Sequence, residues 1–283
     1  MKKTGYVVLL FMASVLYYHS SIEKQPSKQP DEAEVLPANK TEAVEEFDII
    51  EETKKLTPRK EVPALPSYSD KKFLVCIDPG HQEKANLEHE PIGPGAAETK
   101  IKVSGGTTGV STGKPEYVLV MEISNLLKSQ LEQEGFEVIL TRQSHDVNLS
   151  NRERAQLASE NEADVFIRMH ADGANDPSVR GFHILTPSKN SPYTKAIFED
   201  SVKLSNSIFN EVKFVPEADA RGITFREDIS GFNWSEVPVT LIELGFMTNP
   251  EEDENLSDPS YQMELVKGIV NGLEVYREGA LLQ

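Results

Sequence analysis

Four side chains far apart in the chain, His81, Glu116, His170 and Glu243, are of the types that hold a cation and move a proton. Two imidazoles and one carboxylate leave a fourth position open on Zn²⁺, the arrangement of catalytic sites and not of closed structural ones. Such an ion polarises a carbonyl and acidifies water, and a second carboxylate takes up the water's proton and returns it to a leaving amine. The residues alone do not say which glutamate binds metal and which moves protons. Each also has a plainer explanation. An acidic residue such as Glu116 suits a helix N-terminus, and a carboxylate at the end of an apolar strand, such as Glu243, must be paired or hydrated.

These residues can share one reaction only if the fold brings them together. Phe73 to Gln82, FLVCIDPGHQ, reads as a buried strand running into the turn Asp78-Pro79-Gly80, which delivers His81. ADVFIRM (163–169) reads as a strand ending at His170, and VPVTLIEL (237–244) as one ending at Glu243. Ligands of an open α/β sheet bind beyond the carboxyl ends of its strands, so three parallel strands would present these residues at one edge. Helical periodicity from Glu116 through Val118, Met121, Ile123, Leu126, Leu127 and Leu131 places Glu116 in a first turn beside that edge.

Further strands are expected at 136–140 and 179–185, and further helices at 148–159, 193–212 and 259–277. The fold predicted is a single α/β domain over 71–279, with a mostly parallel twisted sheet and helices on both faces. The polar, glycine-rich stretch 83–114 reads as a long functional loop, and 217–235 as a second irregular rim.

Lys2 and Lys3 before an apolar run from Tyr6 to Tyr18 make residues 1–21 an export signal or an uncleaved membrane anchor. Residues 22–70, rich in Glu, Lys, Pro and Ser, read as a disordered acidic linker. The expected location is the cell wall or medium, or the outer face of the cytoplasmic membrane. A net charge of −17 argues against a nucleic-acid partner. The single cysteine, Cys76, excludes an intrachain disulfide and reads as a core residue.

IDPGHQ at 77–82, TGKPEY at 112–117, DVFIRMHADG at 164–173 and PVTLIELGFMTNPEED at 238–253 together resemble the zinc-dependent N-acetylmuramoyl-L-alanine amidases of bacterial cell-wall turnover. The four stretches stand in that family's order and spacing, and the resemblance runs from Lys72 to about Gly279. It implies one zinc ion held by His81, Glu116 and His170, with Glu243 as the catalytic residue. It further implies peptidoglycan as substrate, cut at the amide between the lactyl group of N-acetylmuramic acid and L-alanine, with no obligate protein partner. Asp172 stands where asparagine is common in the family, and the rim at 83–114 is longer than in many relatives. A zinc hydrolase of another amide, such as a peptidase or deacetylase, and an inert wall-binding protein of the same fold are the competing readings.

Other residues have simpler expectations. His19, His89 and His145 read as surface residues and His183 as a packing residue within a strand. Arg152 and Arg168 would meet a substrate carboxylate or form salt bridges, and Phe232 and Trp234 would stack on sugar or pack in the core. Asp78 would orient His81 or cap the turn.

Overall fold

A computed structural model describes residues 72–281. The export or anchor segment expected at 1–21 and the linker expected at 22–70 lie outside the described residues. In chain order the elements begin with β1 (Leu74–Pro79), β2 (Asn86–Pro91), β3 (Thr99–Val103), α1 (Glu116–Gln133), β4 (Glu137–Leu140) and α2 (Asn151–Glu160). They continue with β5 (Val165–Asp172), β6 (His183–Pro187), α3 (Phe198–Val212), β7 (Gly222–Arg226) and α4 (Ser230–Asn233). The chain closes with β8 (Val239–Phe246), α5 (Pro250–Ser257) and α6 (Pro259–Leu281).

Six strands form one sheet in the order β4-β1-β5-β8-β6-β7. The first four are mutually parallel, whereas β6 runs antiparallel to β8 and carries β7 parallel to itself. Alternate side chains of each strand point to opposite faces, so a strand covered on both sides has to be apolar throughout. Val75, Ile77, Val165, Ile167, Ile242 and Leu244 face one way, into a core shared with Leu119, Leu127, Leu204, Leu265 and Ile269 from α1, α3 and α6. Cys76, Phe166, Val239 and Leu241 face the other way, against Ala155 and Ala158 of α2 and Phe232 of α4. The expected α/β sheet with helices on both faces is therefore the fold, and Cys76 is fully buried in it.

The helix starts follow local chemistry. Ser150 and Glu153 close a capping box at α2. At α5 the Asn249 side chain accepts from the backbone N–H groups of Glu251 and Glu252, and Pro250 occupies the first turn, where its missing donor costs nothing.

Three departures from expectation have physical causes. The stretch 83–114 contains the antiparallel hairpin β2–β3, most of whose residues are exposed or only partly buried, with charged residues at several of its positions, so it lacks the apolar alternation that marks a half-buried strand. The second rim contains the edge strand β7 and the short helix α4, where polar and apolar residues mix because only part of each is covered. Strand β6 begins at His183 and helix α3 at Phe198, each later than the patterns at 179 and 193 suggest. Among the described residues no helix is long and apolar enough to cross a membrane.

Candidate metal centre

His81 follows β1 after one intervening residue, Gly80, and β5 and β8 pair in parallel so that His170 lies opposite Glu243. Glu116 opens α1, whose first residue is fixed by Pro115 in extended conformation. His81 Nε2, His170 Nδ1 and Glu116 Oε1 stand 3.1 Å from one another in all three pairs. A tetrahedral ion with ligand bonds of about 2.0–2.1 Å has edges of roughly 3.3 Å, so this triangle has the size of one face of a zinc site.

The protonation states suit a cation. Ser104 offers its carbonyl to His81 Nδ1 at 2.9 Å, which places the ring proton there and leaves the Nε2 lone pair facing the triangle. Burial pushes the His170 imidazole down to about 4, so it is a neutral donor at physiological pH. Burial opposes ionisation of Glu116, yet the adjoining imidazoles of His170 and His81 outweigh it and hold the carboxyl well below its ordinary range. Backbone N–H groups of Thr107 and Ala171 also donate to its two oxygens, at 2.9 and 3.1 Å. Three ligand atoms this close, two imidazole nitrogens and a carboxylate oxygen, fit a divalent cation.

Two glycines make room for the cluster. A Cβ on Gly80 would collide with the His170 ring, so the imidazole rests directly on backbone. Gly106 has φ +76° and a Cβ there would fall 2.7 Å from Glu116 Oε2, so both its conformation and its surroundings require glycine.

The turn bearing His81 is held from beneath by buried arginines. Asp78, with no exposed surface, receives Arg154 at 2.8 Å, Arg168 at 2.9 Å and the Thr141 hydroxyl at 2.5 Å. Arg154 continues to the carbonyls of Pro79 and His81, and Arg142 to those of Pro79, Gly80 and Tyr117. These bonds keep His81 at φ +57°, a conformation rare for a residue other than glycine. Asp78 thus orients His81 indirectly: its oxygens take arginine and threonine donors, and the arginine does the holding.

Glu243 lies beside the triangle with Oε2 buried and unpartnered. Burial first, then the charges of Glu116 and Asp172, push its carboxyl well above the ordinary range, against Arg168 and Arg226. A carboxyl raised in this way takes up a proton more readily than an ordinary carboxylate. An open cleft of about 420 Å³ joins His81, Glu116, His170, Asp172 and Glu243.

The remaining residues fall elsewhere. His183 stacks on Phe246 and pairs with Asp172 at 3.4 Å, His89 meets Thr99, and His145 lies edge-on to Tyr117. Arg168 is engaged by Asp78 and Asn151, whereas Arg152 lies over the Trp234 ring, whose Nε1 donates to the Pro91 carbonyl. Phe232 is a core residue. Ser104, Gly106 and Thr107 escaped sequence reasoning because they act through backbone groups, which residue type does not signal.

A family model described as N-acetylmuramoyl-L-alanine amidase matches residues 75–275. The N-acetylmuramoyl-L-alanine amidase Rv3717 of Mycobacterium tuberculosis is 27% identical over 211 residues, covering 71% of this chain and 85% of its own. The N-acetylmuramoyl-L-alanine amidase AmiA of Escherichia coli is 24% identical over 242 residues, covering 72% and 76%. The crystal structure of the amidase Ami1 from Mycobacterium smegmatis superposes with a TM-score of 0.65 at 24% identity, covering 73% of this chain and 97% of that one, a likeness of fold.

Proposed function

The chain belongs to the N-acetylmuramoyl-L-alanine amidase family, and on that premise we propose that it is a zinc-dependent hydrolase of peptidoglycan, cutting the amide between the lactyl group of N-acetylmuramic acid and L-alanine. His81, Glu116 and His170 would hold the ion, and Glu243 would carry the proton. The observation that supports this most is the triangle of three donors at 3.1 Å beside a buried, unpartnered carboxylate oxygen. We assign the catalytic domain to residues 71–279, exported by the segment at 1–21 and spaced from it by 22–70.

A divalent cation bound there supplies Lewis-acid polarisation of the scissile carbonyl and acidifies water. The chain's own residues do the rest. Ser104 fixes the His81 tautomer, and the arginines under the turn fix the ring's position. Glu243 accepts a proton as the water oxygen bonds to the lactyl carbonyl carbon, then gives that proton to the alanine nitrogen as the C–N bond breaks.

Mass spectrometry of peptidoglycan digested by the full chain, with and without chelator, tests the reading. New alanine amino termini that disappear with chelator are expected. Released acetate, or cleavage between amino acids, would replace it with a deacetylase or peptidase.

A further inference from the structure

Beyond Glu243 the sheet continues into β6 and β7. Glu243 lies opposite His183 on β6, His183 opposite Gly222 on β7, and Arg226 opposite Pro187, four residues further along. Residues paired in this way share a face, so His183, Leu185, Thr224 and Arg226 lie on the face that bears Glu243. Thr224 is exposed and His183 and Leu185 are partly so.

Arg226 closes the far end of this face. Asp228 accepts from its Nε at 2.8 Å and its Nη2 at 2.9 Å, which fixes the plane of the guanidinium. Nη1 makes no hydrogen bond among the described residues. The side chain is 40% exposed. Lys100, from the β2–β3 hairpin, joins the same Asp228 carboxylate at 2.8 Å. Two cations thus share one carboxylate at this end, while the cleft at the other end holds Glu116, Asp172 and Glu243. Arg168, the other arginine acting on Glu243, is 3% exposed and engaged by Asp78 and Asn151, so it is not accessible in the same way.

We propose that Arg226, oriented by Asp228 and supported by Lys100, binds a free carboxylate of the peptide being released, two or three residues beyond the scissile amide. Two strand spacings of about 4.8 Å and four rises of about 3.3 Å put roughly 16 Å between the Glu243 and Arg226 backbones. The two side chains shorten that gap to a span that an extended peptide covers in about two or three residues, at ~3.3–3.6 Å each. An arginine held by one carboxylate with an edge left open is suited to a second, whereas an amide in its place forfeits the charge-assisted bond. The direction of the peptide, from Glu243 toward Arg226, rests on the amidase reading above.

The test uses the full chain and two synthetic N-acetylmuramoyl tripeptides, both with an amidated C-terminus, whose second residue is a glutamate linked through its γ-carboxyl, differing only in whether its α-carboxylate is free or a primary amide. We expect kcat/KM to favour the acid about tenfold, mostly through KM, and the preference to vanish in Arg226→Met and to return in part in Arg226→Lys. Calorimetric binding of the two released tripeptides needs no turnover and should show the same preference with the same variants. Equal binding of acid and amide by the wild-type chain, or a preference that survives in Arg226→Met, overturns the inference. Absence of turnover alongside a binding preference counts against the amidase reading and leaves the carboxylate site standing.

Discussion

Arg154, fully buried, donates from Nη2 to the carbonyl of His81 at 2.9 Å while Nη1 holds Asp78 at 2.8 Å. One side chain thus connects the floor of the sheet to the residue that turns its ring toward the cleft. Arg154→Met should cost about 3–5 kcal/mol, because it leaves Asp78 short of a buried partner. It should also weaken zinc binding by about 10–100-fold. Urea denaturation and zinc titration of the same preparation check both.

Asp78 gives the fold a defined response to acid. Burial raises its carboxyl pKa, but Arg154 and Arg168 outweigh it and hold the folded value below the ordinary carboxylate range. A depressed folded pKa means the stabilisation is complete above the unfolded value of about 3.9 and is lost as pH falls through the folded one. Asp78→Asn should therefore lie well below wild type in stability at neutral pH, with the gap closing only below about pH 4. Denaturation curves across that range measure it.

Glu243 has the opposite sign. Its folded pKa is raised by burial and by neighbouring carboxylates, so the stability linked to it is present at low pH and is lost as pH rises through the folded value. In chelator, Glu243→Gln should be more stable than wild type at neutral pH by about 1–3 kcal/mol. With zinc restored, its turnover should fall by about 10²–10⁴ while the metal stays bound. Melting curves, metal content and muropeptide release distinguish these effects.

Gly106→Ala adds one methyl group where φ is +76° and Glu116 Oε2 would be 2.7 Å away. We expect a backbone cost of about 1–2 kcal/mol and weaker zinc binding as the carboxylate shifts. Titration calorimetry against the wild type reads the second effect.

Much of this site is legible in the sequence because apolar strands with abrupt polar ends are conspicuous. β1, β5 and β8 are buried on both faces and read as largely apolar runs, so His81 just past β1, and His170 and Glu243 within the second halves of β5 and β8, stand out. Both β5 and β8 run two to three residues further than the sequence suggests. The supports are not legible. Arg142 and Arg154 have the residue type of a solvated surface but are buried, and only the fold reveals the carbonyls they satisfy. Ser104 contributes a carbonyl and Thr107 an N–H, groups common to nearly every residue. The β2–β3 hairpin is hidden for a related reason, since strands whose residues are mostly polar and only partly covered have no apolar alternation to display.

The most direct test of the metal centre is a calorimetric zinc titration of the metal-free full chain beside His81→Ala, Glu116→Gln, His170→Ala and Glu243→Gln. One tight equivalent is expected for wild type and for Glu243→Gln, and its loss from the other three. One tight equivalent retained by His81→Ala or His170→Ala would contradict the assignment of these side chains as ligands.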